Sequence, residues 1–181
     1  HGIAKYAAIS AAGPLLIDEL KALTKALRKP AKPIVTIIGG AKVSTKLTII
    51  KNLLDKIDTL ILGGGIVNTF LSAAGYEIGK SLYEEDLVKT SKMLIEHAKK
   101  NNCNILLPDD VITGHKFEEN AAAEIKSISD IDKNDIILDI GPKTTKKLSA
   151  IIKEAKTIVW NGPLGVFEFE QFSSGTKNLA H

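Results

Sequence analysis

A chain of 181 residues, 44% hydrophobic and 25% charged, has the balance of one globular domain with a sizeable core rather than of a disordered segment. Its formal net charge of +3 is small and evenly spread, which argues against a nucleic-acid partner. Cys103 is the only cysteine, which excludes a disulfide framework and a cysteine-based metal centre and fits a reducing compartment. The longest apolar runs are strand-sized and the Ala-rich start after Lys5 is broken by Gly13-Pro14, so neither a membrane span nor a signal peptide is expected.

In chain order, Pro14 suits a first helical turn, and Leu15, Leu16, Leu20, Leu23 and Leu27 space an amphipathic helix that ends near Arg28. Pro30 to Pro33 is a stiff connector. Ile34 to Ile38 is a β-branched run of buried-strand type, broken by Gly39-Gly40. Ala41 to Leu54 then has helical spacing at Val43, Leu47, Ile50 and Leu54. On such a helix Lys42 and Lys46 share one face. Two cations there oppose the helix dipole unless an anion sits between them, so either a phosphate is held at this N-terminus or the lysines are solvated surface and Gly39-Gly40 only a tight turn.

The pattern continues with a strand at Thr59 to Leu62, Gly63-Gly64-Gly65, and a helix from Ile66 to Ala74 stopped by Gly75. A long helix is expected over Leu82 to Asn101 with Leu87, Met93, Leu94 and Ala98 inward, its acidic start Glu84-Glu85-Asp86 favouring the dipole. Strands follow at Asn104 to Leu107, Ile136 to Ile140 and Thr157 to Trp160, with a helix from Thr144 to Ala155. Phe117 to Asp132 has no strong period and is expected as an excursion with short strands. Alternation of this kind predicts an α/β fold, a Rossmann-like three-layer domain with a parallel β-sheet flanked by helices. Gly39-Gly40, Gly63 to Gly65, Gly141 and Gly162 all fall just after strands, at the edge where open parallel sheets bind ligands. A Walker A loop and a Gly-x-Gly-x-x-Gly fingerprint are both missing, which counts against a P-loop protein and a Rossmann dehydrogenase.

Single residues divide between chemistry and structure. Glu168, past the last strand, can accept hydrogen bonds from a ribose or be a solvated loop carboxylate. Asn161 can donate to a phosphate oxygen or simply suit a turn. Asp109 and Asp110 fit a cap or turn better than a metal site. Asp139 is expected to brace the turn after its strand. His1, His115 and His181 receive no role.

Taken together, Gly39-Gly-Ala-Lys-Val-Ser-Thr-Lys46, Gly63-Gly-Gly-Ile-Val-Asn-Thr-Phe70, Gly79-Lys-Ser-Leu82, Leu138-Asp-Ile-Gly-Pro142 and Trp160-Asn-Gly-Pro-Leu-Gly-Val-Phe-Glu168 closely resemble phosphoglycerate kinase, in that family's order and spacing. The resemblance implies transfer of a phosphoryl group between 1,3-bisphosphoglycerate and ADP, giving 3-phosphoglycerate and ATP in glycolysis, by a cytoplasmic monomer without nucleic-acid or membrane partners. It implies that residues 1–30 are an interdomain-type helix with its lead-in and 31–181 the nucleotide-binding domain, incomplete at its C-terminal end. Lys46 would contact the nucleotide phosphates and Lys42 would stabilise the phosphoryl group in flight. Gly40, Ala41, Gly64 and Leu138 would line the adenine pocket, Asn161 would reach a phosphate, Pro163 would shape the site and Glu168 would hold the ribose.

The sequence also departs from the family. Nothing in it matches the phosphoglycerate-binding N-terminal domain. Ile137 stands where some members have glycine, and the chain ends at Leu179-Ala-His181, before the family's Gly-Gly-Gly-Asp-Thr loop with its magnesium-binding Asp. ADP/ATP with magnesium is therefore the expected ligand, and the isolated chain is expected to be inactive. The alternative is a non-catalytic nucleotide-binding module.

Overall fold

The computed structural model describes residues 6–28 and 30–181, the side chains at 23 and 25–27 excepted. Contacts divide the chain between Ala31 and Lys32 into two units. The first carries helix α1 (Pro14–Arg28), opened by a bond from the Ile17 N–H to the Gly13 carbonyl at 3.0 Å. Leu15, Leu16 and Leu20 are exposed on it. The roles expected for the Leu23 and Leu27 side chains, and for residues 1–5 and 29, lie outside the described set.

The second unit is built on strand β1 (Ile34–Ile38), in which all five residues are buried. β1 pairs in parallel with β2 (Thr59–Leu62) on one side and β7 (Thr157–Asn161) on the other, and β3 (Asn104–Leu106) joins beyond β2. Because side chains alternate across a strand, a strand buried on both faces must feed two cores. Ile34 and Ile38 pack with Leu60, Leu62, Ile50, Phe70 and Leu94. Val35 and Ile37 pack with Ile61, Leu148, Leu164 and Leu179 on the opposite face. The first layer is supplied by α2 (Leu47–Leu53), α3 (Gly64–Ala73) and α4 (Val88–Lys100), the second by α5 (Pro142–Glu154) and α6 (Ser174–Ala180). This is the three-layer α/β architecture that the alternating pattern predicts.

Three local expectations are corrected. The strand at Ile136–Ile140 (β6) does not join the parallel sheet. It pairs antiparallel with β4 (Asp110–Gly114), which also carries β5 (Glu124–Ser127), in a separate sheet of order β5-β4-β6. An apolar run identifies a buried strand but not its partner, because pairing is a long-range choice. The long helix starts at Val88 after a short 3-10 turn over Glu85–Leu87 rather than at Leu82, and Met93 is exposed while Ser91, Leu94 and Ala98 are buried. The segment after Gly40 is not one helix: Lys42 is extended, Val43–Thr45 form a 3-10 turn, and α2 begins only at Leu47. Lys42 and Lys46 therefore do not share a helical face.

Candidate functional site

The carboxyl ends of β1, β2 and β7 meet as three interlocked turns. The Gly39 N–H donates to the Asn161 carbonyl at 2.8 Å, and the Gly64 N–H to the Leu164 carbonyl at 2.8 Å. A Cβ on Gly39 would lie 1.7 Å from the Pro163 carbonyl oxygen, and one on Gly65 would lie 2.2 Å from that of Ala41. The space expected for a ligand beside these two glycines is thus filled by neighbouring backbone. Glycine is required there so that three turns can pack, which corrects the expectation that all of these post-strand glycines border a ligand. Gly40 differs. Its φ is +137°, and the nearest heavy atom to an added Cβ is Ile66 Cδ1 at 3.7 Å.

Gly40 opens onto a cleft of about 240 Å³. One wall is Gly40 and Ala41 with the start of α3 at Gly64, Gly65 and Asn68. The other is Ile136, Ile137 and Leu138 of β6 with the loop from Pro163 through Gly165 and Val166 to Glu168. Leu82 and Phe117 complete the rim. The loop is fixed to β6 by a 2.7 Å bond from the Val166 N–H to the Leu138 carbonyl, and Phe117 meets Phe169 with ring centroids 5.2 Å apart. A narrow, mostly apolar slot with few polar groups suits a flat heteroaromatic ring. Six of the nine residues singled out from sequence line it: Gly40, Ala41, Gly64, Leu138, Pro163 and Glu168.

Lys42, Lys46 and Asn161 stand outside this lining. Lys46 and Asn161 are joined by a 2.7 Å bond from Nζ to Oδ1, although 115 residues separate them. With its oxygen occupied, the Asn161 amide can still donate. Lys42 is exposed and immediately follows cleft-lining Ala41. The structure thus brings a cation and an amide donor to the turns that frame the cleft, by tertiary packing rather than by helical spacing.

Two helix starts nearby are not available to an anion. Asp110 accepts from the N–H groups of Lys143 and Thr144 at 2.9 and 2.7 Å and from Thr144 Oγ1 at 2.6 Å, closing the N-terminus of α5. Asp139 accepts from the N–H of Gly175 at 2.7 Å and from that of Ile140 at 2.9 Å, closing α6. Burial pushes the Asp139 carboxyl up to about 6, against the lowering effect of those N–H groups. Asp109 is engaged by Lys147 at 3.1 Å. Among the described residues no group of three or more His, Cys, Asp or Glu side chains could hold a metal ion. These residues do not by themselves fit a protein-held magnesium.

The sequence pattern predicts Glu84 as a helix-opening acid. Its carboxylate instead reaches back 40 residues to the turn between the two lysines, accepting from the Ser44 N–H at 2.8 Å and from Ser44 Oγ at 2.6 Å. Cleft-lining Leu82, Phe117, Ile136 and Val166 were also not singled out, since apolar loop and strand residues carry no local mark of a cleft.

A family model described as phosphoglycerate kinase matches residues 1–181. Phosphoglycerate kinase from Coxiella burnetii superposes with a TM-score of 0.89 at 50% identity, over 99% of this chain and 46% of that one. The enzyme from Pyrococcus horikoshii OT3 gives a TM-score of 0.80 at 30% identity, over 93% of this chain and 43% of that one. The chain thus spans less than half the length of these structures. From the match over its whole length, this chain belongs to the phosphoglycerate kinase family.

Proposed function

We propose that the cleft binds ADP and ATP, and that the chain is the nucleotide-binding part of an enzyme exchanging a phosphoryl group between 1,3-bisphosphoglycerate and ADP. The observation that carries this reading is the apolar cleft flanked by the turns that bear the Lys46–Asn161 pair. The adenine ring enters between the Gly64 side and the Leu138–Val166 side. Glu168 at the rim accepts from the ribose hydroxyls. Lys46 and the Asn161 amide hold phosphate oxygens, and Lys42 offsets the charge that develops on the phosphoryl group in transit. Phosphoryl transfer needs positioning and charge neutralisation more than covalent help, which is the chemistry these groups can supply.

The 1,3-bisphosphoglycerate site lies, in this reading, on a part of the protein outside these 181 residues, so the chain alone binds nucleotide without turnover. Calorimetric titration with ADP in magnesium buffer, beside a coupled kinase assay on the same sample, tests both statements. Binding without turnover is expected. Turnover would refute the division of labour, and no heat with either ADP or ATP would refute the nucleotide site. A nucleotide-binding module of non-catalytic type predicts binding as well. It is separated by assaying the full-length protein, which it leaves inactive.

A further inference from the structure

The Val43–Thr45 turn between the two lysines has no side-chain cap at its own N-cap, Lys42. Glu84 takes that place from a distance. Its two bonds from Ser44, with the nearby Lys42 charge, hold its pKa below the usual range. Glu84 is itself tied down: its N–H donates to Thr69 Oγ1 at 3.1 Å, and Thr69 is fully buried on α3. Two residues earlier, the Leu82 carbonyl accepts from Asn68 Nδ2 at 3.1 Å, and both Leu82 and Asn68 line the cleft. The turn then passes the constraint onward, with the Lys46 N–H bonded to the Val43 carbonyl at 2.8 Å and Thr45 Oγ1 to that of Lys42 at 2.8 Å. On charge alone a carboxylate beside phosphate-binding lysines is adverse, since it attracts Lys42 and repels phosphate. Its hydrogen bonds supply the geometric reason for its presence.

We propose that Glu84 is a positioning residue, which locks the Val43–Thr45 turn to the cleft wall and so holds Lys42 and Lys46 at the phosphate end of the bound nucleotide. This rests on the nucleotide reading of the cleft. A side chain that merely stabilised the fold would affect the base end and the phosphate end alike, whereas Glu84 acts on the phosphate end.

Adenosine and ADP separate the two ends. The wild-type chain and its Glu84→Ala, Glu84→Gln and Ser44→Ala variants are titrated with each ligand. Glu84→Ala is expected to weaken ADP about tenfold while adenosine stays within about twofold, because only charge-assisted bonds to the lysine turn are lost. Glu84→Gln and Ser44→Ala, each keeping part of the bonding, are expected to fall between wild type and Glu84→Ala. An unchanged ratio of ADP to adenosine affinity across the variants overturns the proposal. Should Glu84→Ala fail to fold, the ratio in the two milder variants decides. Wild-type protein that binds neither ligand overturns instead the nucleotide reading on which this one stands.

Discussion

Two regions at the carboxyl ends of the strands handle exposed backbone N–H groups in opposite ways. After β6 and before α6, the donors are met by buried carboxylates, Asp110 for α5 and Asp139 for α6. After β1 and β7, the turns carry Lys46 and Asn161, joined to each other near an open cleft, and the carboxylate that meets their neighbours, Glu84, comes from outside the sheet. A helix start filled by the protein's own side chain has nothing left for a ligand. An edge furnished with cations and amides can receive an external anion. The contrast therefore separates residues whose loss should unfold the chain from residues whose loss should leave it folded and unable to hold phosphate.

The largest expected effect belongs to the first region. Asp110→Ala removes three hydrogen bonds, two of them to buried Thr144, and should cost about 3 kcal/mol in denaturant unfolding. A loss below about 1 kcal/mol would mean that α5 does not depend on this cap.

In the second region, Lys46→Ala in the full-length protein should lower kcat/KM about 100-fold, equivalent to about 2.7 kcal/mol, with an unchanged unfolding midpoint. Lys42→Ala should act on kcat with KM for ADP little changed. Wild-type kinetics in the Lys46 variant would remove it from the site.

A smaller effect is read in pH. Asp139 has a folded-state pKa of about 6, above its ordinary 3.8, so the folded protein keeps a proton that the unfolded chain releases between those values. The stability that this group contributes is present below 3.8 and is lost as the pH rises through about 6. The stability difference between wild type and Asp139→Asn should therefore shift by about 2 kcal/mol across that window, against the wild type as pH rises. A difference that stays flat with pH would show that Asp139 is not held in a raised state by burial.

Much of the fold could be read from local signals. The run Ile34–Ile38 with glycines behind it is a fully buried central strand, and the alternation of strands and helices does yield a three-layer sheet. The six cleft-lining residues carried over from motif resemblance do converge on one cavity. Other features lacked a local signal. β4 opens at Asp110 directly after Pro108-Asp109, and these turn-favouring residues mask a strand of five buried residues. The helix expected at Ala41 is displaced to Leu47 by positive φ at Gly40 and by hydrogen bonds from the Ser44 N–H and Oγ to Glu84, which helical periodicity cannot register.

Which segments are strands or helices, and that glycine must follow the strands, was settled by side-chain branching, apolar spacing and backbone freedom, all properties of neighbouring residues. Three features depended on contacts between residues 22 to 115 positions apart: β6 pairs with β4, Lys46 meets Asn161, and Glu84 clasps Ser44. Such contacts arise only when the chain is packed, because a hydrogen bond selects a partner by position in space and a linear pattern carries no record of it.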